Sequence, residues 1–316
     1  MEKDLVIGID LGGTKISGAL ADIKGNVINK YTIPTNADQG EQIVLQRIIS
    51  VIDKLIDESV ENTENIKAIG IGSPGPLDPK KGMIITTPNL PFKNFKLVEP
   101  IKNKYKIPTF LDNDANVAAI GEYMLGAGKG TQNMVYVTVS TGIGGGAILN
   151  GKIYRGNTFN ALEVGHMTIE PQGPRCNCGN YGCVEALASG TAIARQAIEC
   201  IKNGDNTSLL NYEKVTAAEV FKEAAKGDAL SQKVLDKSLE YLGIGVANLI
   251  TMFDPEVFVI GGGVANGGSI VFEKVQQVVN KRCFQVMAEN CRIVPAMLGN
   301  DAGVIGAVSL AIMEIK

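Results

Sequence analysis

The chain has 316 residues, 45% of them hydrophobic and 20% charged, with a formal net charge of -3. That length suits about two domains with a sizeable core, and the charge balance excludes the basic field that nucleic acid or an anionic membrane would attract. The N-terminal stretch has no cationic flank ahead of a long apolar run, and the longest apolar stretch, Val304 to Met313, is too short to span a bilayer. The expected address is therefore the cytoplasm, where thiols stay reduced.

In chain order, Leu5 to Ile9 reads as a short apolar strand, followed by strands at Ile16 to Ala21 and near Val27 to Ile33, with a turn at Lys24, Gly25 and Asn26 between them. Glu41 to Ser59 reads as an amphipathic helix, with Leu45, Ile48, Ile49, Ile52, Leu55 and Ile56 on one stripe. Strands follow at Lys67 to Gly72 and Thr109 to Leu111, separated by a Pro-, Lys- and Asn-rich stretch, Pro74 to Phe95, that reads as an extended loop. Ala115 to Leu125 is a helix. Met134 to Val139 and Gly146 to Leu149 are strands around a glycine turn, and Asn150-Gly151 signals a hairpin. Glu185 to Lys202 and Leu230 to Met252 read as helices, Thr216 and Glu219 form a capping box for another, Val257 to Ile260 is a buried strand, and Asp301 can cap the last helix. Such alternation predicts α/β layers. Asp4 to Ala21 and Asn133 to Asn150 share one pattern of strand, glycine turn and strand, which suggests two similar domains facing a cleft.

Three glycine turns could hold phosphates. Asp10-Leu11-Gly12-Gly13-Thr14-Lys15 follows a strand directly: the glycines let backbone N–H groups approach phosphate oxygens, Thr14 adds a hydroxyl, Lys15 a positive charge, and Asp10 could hold Mg²⁺ through water. Ser140-Thr141-Gly142-Ile143-Gly144-Gly145-Gly146 repeats the design, and Gly261-Gly262-Gly263 could let adenine lie flat against backbone. The bland alternatives are a tight hairpin and a strand bulge. Gly70 to Gly75 formally matches G-x-G-x-x-G, but Pro74 and Pro76 open a loop rather than a helix, and the Walker pattern is absent, so neither a nicotinamide enzyme nor a P-loop enzyme is favoured.

Asp112-Asn113-Asp114 ends a strand and begins a helix. Phosphoryl transfer to an alcohol needs a base for the hydroxyl proton, and Asp114 has the setting for it, with Asn113 able to orient a hydroxyl. The alternative is that Asp112 or Asp114 is a helix N-cap. His166, the only histidine, precedes Cys176, Cys178 and Cys183, whose C-x-C-x4-C spacing with a nearby imidazole predicts a closed, structural zinc site. The alternative is reduced, buried cysteines, which is the reading for Cys200, Cys283 and Cys291. Glu163 and Glu185 bracket the cluster and could accept hydrogen bonds from sugar hydroxyls or be ordinary surface acids, and His166 could couple the metal to a substrate through its second ring nitrogen.

In order along nearly the whole chain, DLGGTK at 10 to 15, GSPGPLD at 72 to 78, NDANVAAIGE at 113 to 122, STGIGGG at 140 to 146, EVGHM at 163 to 167, CNCGNYGCVEALASG at 176 to 190 and IGGGV at 260 to 264 resemble the ROK family of repressors, open reading frames and kinases. The resemblance implies an α/β, actin-like ATPase (ribonuclease H-like) fold, with a small N-terminal domain of residues 1–116 plus 302–316 and a larger domain of residues 117–301 carrying the zinc loop. It implies an ATP-dependent sugar kinase, a glucokinase acting at the 6-hydroxyl, with Asp114 as base. Gly75, Asn89, Asn113, Glu163, His166 and Glu185 would contact the sugar. Asp10, Gly12, Gly13, Thr14, Lys15, Thr141, Gly142 and Gly144 would hold the ATP phosphates, and Gly262 and Gly263 the adenosine end. His166, Cys176, Cys178 and Cys183 would hold zinc, and the last helix would pack back onto the first domain. Family members commonly form dimers or tetramers. Ser140 departs from the Gly-Thr-Gly of many glucokinases and occurs in relatives acting on other hexoses, which leaves fructose, mannose or N-acetylmannosamine as alternative substrates. Repressor members carry a helix-turn-helix ahead of the first glycine turn, for which the stretch before Asp10 leaves no room.

Overall fold

The computed structural model describes residues 4–57, 65–87 and 89–315. In chain order the elements are β1 (Leu5–Leu11), β2 (Lys15–Asp22), β3 (Val27–Pro34), α1 (Glu41–Asp57), β4 (Ile66–Ser73), β5 (Leu77–Asp78), β6 (Met83–Thr86), β7 (Lys93–Lys96), α2 (Val98–Tyr105), β8 (Thr109–Asn113) and α3 (Asp114–Leu125). They continue with β9 (Met134–Val139), β10 (Ile143–Leu149), β11 (Lys152–Ile153), α4 (Val184–Ala188), α5 (Gly190–Lys202), α6 (Ala217–Ala225) and α7 (Ala229–Phe253). The last are β12 (Val257–Gly261), α8 (Ser269–Arg282), α9 (Gln285–Asn290), β13 (Arg292–Pro295) and α10 (Ala302–Glu314). The chain divides into two compact units: Met1–Gly130 with Lys152–Ala161 and Met297–Lys316, and Thr131–Gly151 with Leu162–Ala296.

The first unit is built on a sheet ordered β3-β2-β1-β4-β8. β2 runs antiparallel to β1 and β3, whereas β4 is parallel to both β1 and β8. α1 covers one face with Val44, Leu45, Ile48, Val51, Ile52 and Leu55, the spacing of a single helical stripe. The far end of this predicted helix, Ser59, lies outside the described residues. α10 covers the other face at very close range. A Cβ on Gly70 would lie 2.1 Å from the Ala307 carbonyl oxygen, and one on Gly8 would lie 2.4 Å from the Val308 nitrogen. Glycine here is a packing requirement: it lets a helix backbone rest directly on two strands.

The second unit holds β10, β9, β12 and β13 in that order, with β9 antiparallel to β10 and parallel to β12. The echo read from the sequence is therefore real at the level of topology: β1-β2 and β9-β10 are equivalent hairpins, each flanked by a parallel strand.

Four local expectations change. Pro74 to Phe95 is not simply an extended loop; it carries the three-stranded sheet β5-β6-β7, whose Ile84 is buried, as is Phe92 just before β7. The helix expected over Glu185 to Lys202 breaks at Ser189, whose extended backbone ends α4 and whose hydroxyl accepts from the Ala192 N–H to cap α5. The strand after the second glycine turn starts at Ile143, not Gly146, because Gly144 and Gly145 pair with Thr138 and Val137. Asp301 stands at the N-cap of α10 but makes no capping hydrogen bond; its carboxylate pairs with Lys30 at 2.7 Å instead. The Thr216–Glu219 capping box is present.

The α10 seam predicts that Gly70→Ala destabilises the protein by about 1–3 kcal/mol, since the methyl group must displace helix backbone. Denaturant unfolding measures it, and an unchanged midpoint would show that the seam can open without cost.

Candidate active site

Parallel pairing brings the informative strand ends of the first unit to one edge. Asp10 on β1 is in register with Gly72 on β4, and Gly72 with Asp112 on β8. Residues just beyond those positions, Gly12 to Lys15, Gly75, Asn113 and Asp114, thus leave the sheet on the same side, where open α/β sheets bind ligands. Gly75 adjoins Asn113: a Cβ there would lie 3.3 Å from the Asn113 amide nitrogen. Gly13 adjoins Asn89, with the corresponding distance 2.9 Å to the Asn89 Cβ.

The first turn is braced from behind. The Gly12 N–H donates to the Lys15 carbonyl at 3.0 Å, and the buried Thr35 donates its hydroxyl to the Gly12 carbonyl at 2.6 Å. Thr14 and Lys15 remain exposed. At the strand-helix corner the N-cap is neither of the two aspartates but Asn113, whose side chain accepts from the Ala115 N–H at 2.9 Å. Asp112 is fully buried, with Oδ1 accepting from the Asn113 N–H and the Asn116 amide. Asp114 is exposed at its surface, and only its Oδ1 is engaged, by the Ala115 N–H at 2.8 Å.

Two carboxylates share this edge. Desolvation, then the nearby Asp114 charge, pushes Asp10 up to about 6 despite the opposing pull of Lys15. Desolvation by the surrounding protein also raises Asp114 above its ordinary value, against the hydrogen bond from Ala115, although the side chain reaches solvent. α10 closes one side of the pair: a Cβ on Gly303 would fall 2.5 Å from Asp10 Oδ2.

The second unit assembles its own set. Ser140 to Gly142 form a tight turn, with the Ser140 N–H donating to the Gly142 carbonyl at 2.9 Å and Thr141 exposed. Gly144 lies in β10, half-buried. Gly262 takes φ 83°, and a Cβ on it would strike the Val139 carbonyl oxygen at 2.4 Å, so only glycine lets the third turn lie against the second. Gly263 is open, with Ser140 Oγ the nearest atom to its position.

Glu185 at the start of α4 accepts from the Ile143 N–H at 2.9 Å through Oε2, and its Oε1 lies 3.8 Å from Cys176 Sγ. Glu163 opens a 3-10 turn over Val164–His166, and Gly165 in that turn packs on the Ile143 carbonyl. Glu163, His166, Glu185 and the second glycine turn are thus one local assembly.

The donor atoms of His166, Cys176, Cys178 and Cys183 all lie within 4.8 Å of one another. Cys178 and Cys183 sulfurs are 3.7 Å apart, as are Cys176 Sγ and His166 Nδ1. Tetrahedral zinc with standard bond lengths would set these edges at ~3.8 and ~3.6 Å, so the cage has the size such an ion needs. Desolvation and the neighbouring thiols push Cys183 up to about 12, a state a bound divalent cation would reverse.

Sequence reasoning overlooked Arg155, which pairs with buried Asp112, and Glu122, a fully buried carboxylate that accepts from the N–H groups of Ala127, Met297 and Leu298. Arg155 belongs to no local pattern, and a glutamate far along the largely apolar helix α3 was the available signal for Glu122.

Comparison with known proteins identifies the family. The ROK family pattern matches residues 6–314, and the chain belongs to the ROK family. A glucokinase of Halalkalibacterium halodurans is 38% identical over 305 residues, 95% of this chain and 92% of that protein. A xylose repressor of Caldicellulosiruptor bescii is 31% identical, with 100% of this chain and 80% of that protein covered. Among solved structures, a ROK hexokinase from Thermus thermophilus superposes with a TM-score of 0.87 at 36% identity over 98% of this chain and 99% of that one. A ROK glucokinase from Streptomyces griseus, solved with glucose and AMPPNP, does so with 0.79 at 29% identity over 98% and 99%. The fold is the two-domain actin-like ATPase fold.

The raised Asp10 pKa carries a sign. Between the ordinary value and about 6 the folded chain binds the extra proton, so stability falls as pH rises through that window and the penalty is complete above it. Asp10→Asn, without nucleotide or metal, should therefore stabilise the protein at pH 8 by roughly 1–3 kcal/mol, with the gain fading towards pH 4. Unfolding midpoints across pH test it, and a pH-independent difference would contradict the shared-charge picture.

Proposed function

We propose that this protein transfers the terminal phosphoryl group of ATP to the 6-hydroxyl of glucose, with Asp114 as the general base. The observation that carries this reading is the Asp114 carboxylate, held at a strand-helix corner by one oxygen while the other has no protein partner among the described residues. As the hydroxyl oxygen forms its bond to phosphorus, its proton passes to Asp114, and the phosphorus–oxygen bond to ADP breaks. A carboxylate with a raised pKa accepts that proton more readily than an ordinary one.

In this reading the first unit supplies Gly75, Asn89 and Asn113 to the sugar and Gly12, Gly13, Thr14 and Lys15 to the phosphates. The second unit supplies Glu163, His166 and Glu185 to the sugar, Thr141, Gly142 and Gly144 to the phosphates, and Gly262 and Gly263 to the adenosine end. Asp10 would hold Mg²⁺, whose charge would relieve the repulsion between Asp10 and Asp114 and neutralise phosphate oxygens. Zinc held by His166, Cys176, Cys178 and Cys183 would be structural, bracing the loop that leads into Glu185 and leaving His166 Nε2 for a sugar hydroxyl. Among the described residues no helix is long and apolar enough to cross a membrane, and the reaction requires neither a membrane nor nucleic acid. We place the enzyme in the cytoplasm as a homodimer or homotetramer, which light scattering of the purified protein would distinguish from a monomer.

ADP release with a panel of hexoses and acylated amino sugars tests the assignment. Glucose should give the highest kcat/KM, and Asp114→Asn should lower kcat by about 10²–10⁴-fold. Wild-type turnover in that variant would remove Asp114 from the mechanism, and a higher kcat/KM for another sugar would replace glucose.

Removing the metal supplies a second test. Chelation, or Cys178→Ser, should lower the melting temperature and weaken glucose binding measured calorimetrically. Metal analysis of active protein showing well under one zinc per chain would refute the site.

A further inference from the structure

Arg155 lies in the segment Lys152–Ala161, which belongs to the first unit although the strands before it and the loop after it belong to the second. Its Nε donates to Asp112 Oδ2 at 2.6 Å and its terminal nitrogen Nη2 to Glu314 Oε1 at 2.8 Å. The Asp112 side chain is fully buried, whereas that of Arg155 is 24% exposed. A carboxylate in that position needs a cation, and Arg155 is its ion-pair partner.

The other oxygen of Asp112 faces the candidate catalytic corner. Oδ1 accepts from the Asn113 N–H at 2.7 Å and from the Asn116 amide at 2.9 Å. The Asn113 side chain in turn accepts from the Ala115 N–H, the same group that holds Asp114 Oδ1. A continuous set of hydrogen bonds therefore runs from the guanidinium through Asp112 and the N-cap to the base. Charge-assisted bonds of this kind fix direction as well as distance.

We infer that Arg155 is a positioning residue for the phosphoryl-transfer reaction: by holding Asp112 in place, it sets the corner from which Asp114 projects. This rests on the reading of Asp114 as base. Without Arg155, the buried Asp112 carboxylate loses its ion-pair partner and would swing towards water, which releases the Asn113 N–H. An offset near 1 Å at a reacting group lowers rate by about 10²-fold, whereas groups that bind nucleotide elsewhere are untouched. The effect belongs in kcat and not in the KM for ATP.

The test compares kcat, both KM values and melting curves for R155M, R155K, D112N/R155M and D114N. R155M should lose about 10–100-fold in kcat with its KM for ATP within about threefold of wild type. R155K, which keeps the charge but not the geometry, should fall between. D112N/R155M should recover most of the loss, since the amide introduced by D112N retains an oxygen for the Asn113 N–H and leaves no orphaned charge. A folded R155M with wild-type kcat overturns the inference, as does a loss that the double variant fails to relieve. If R155M does not fold, R155K and the double variant decide: a wild-type kcat in R155K, or a double variant that loses more than R155K does, is the overturning result. D114N separates the two readings. Wild-type turnover there means the base assignment has failed, whereas an inactive D114N beside a wild-type R155M means that only the positioning role has.

Discussion

Three parallel strands deliver their carboxyl ends to one edge of one sheet, and the chemistry of the first unit depends on that registration. Asp10, Gly72 and Asp112 lie in line across β1, β4 and β8. A slip of one residue in any strand would send alternate side chains to the opposite face and separate the carboxylates. The registration is secured by apolar packing on both faces, with α1 on one side and the glycine-lined seam of α10 on the other. Helix α10 is thus part of the scaffold of that edge, and its first turn lies directly against Asp10.

The same registration forces two carboxylates together at a cost. Desolvation and their mutual repulsion raise Asp10 to about 6. A structure selected for stability alone would place an amide or a cation there. In the proposed reaction a divalent ion on Asp10 and a hydroxyl proton on Asp114 would each relieve the imbalance. Asp112 shows the opposite arrangement one residue from the corner: fully buried, satisfied on both oxygens, and matched by Arg155.

The second unit repeats the hairpin topology but attaches different chemistry to it. Its glycine turn is held by Glu185, and Glu185 approaches a sulfur of the cysteine cage. The loop from Glu163 to Glu185 is short of regular structure, and a metal ion held by the proposed cage would give it the rigidity that helices and strands supply elsewhere. The Cys/His cage, Glu185 and the second glycine turn are thereby neighbours in a single local assembly.

Much of this is legible in the sequence alone. Hydrophobic period places α1, α3, α7 and most strands, because burial on one face imposes its spacing on the residues themselves. The glycine turns, the His-Cys cluster and the Asp112 to Asp114 corner are legible because each is contiguous or nearly so. The small sheet of β5 to β7 is hidden, since short strands among prolines and lysines carry little periodic signal. The break at Ser189 is hidden because apolar spacing continues across it while the backbone turns. What only the tertiary structure decided was the choice of partner: Asn113 rather than an aspartate as the cap, Lys30 rather than the helix as the partner of Asp301, and Arg155 as the counter-ion of Asp112. The two ion pairs join residues from distant parts of the chain, Lys30 from β3 with Asp301 beside the last helix most of all. A side chain's local sequence sets what it can bond, but the packing of remote segments sets which partner arrives.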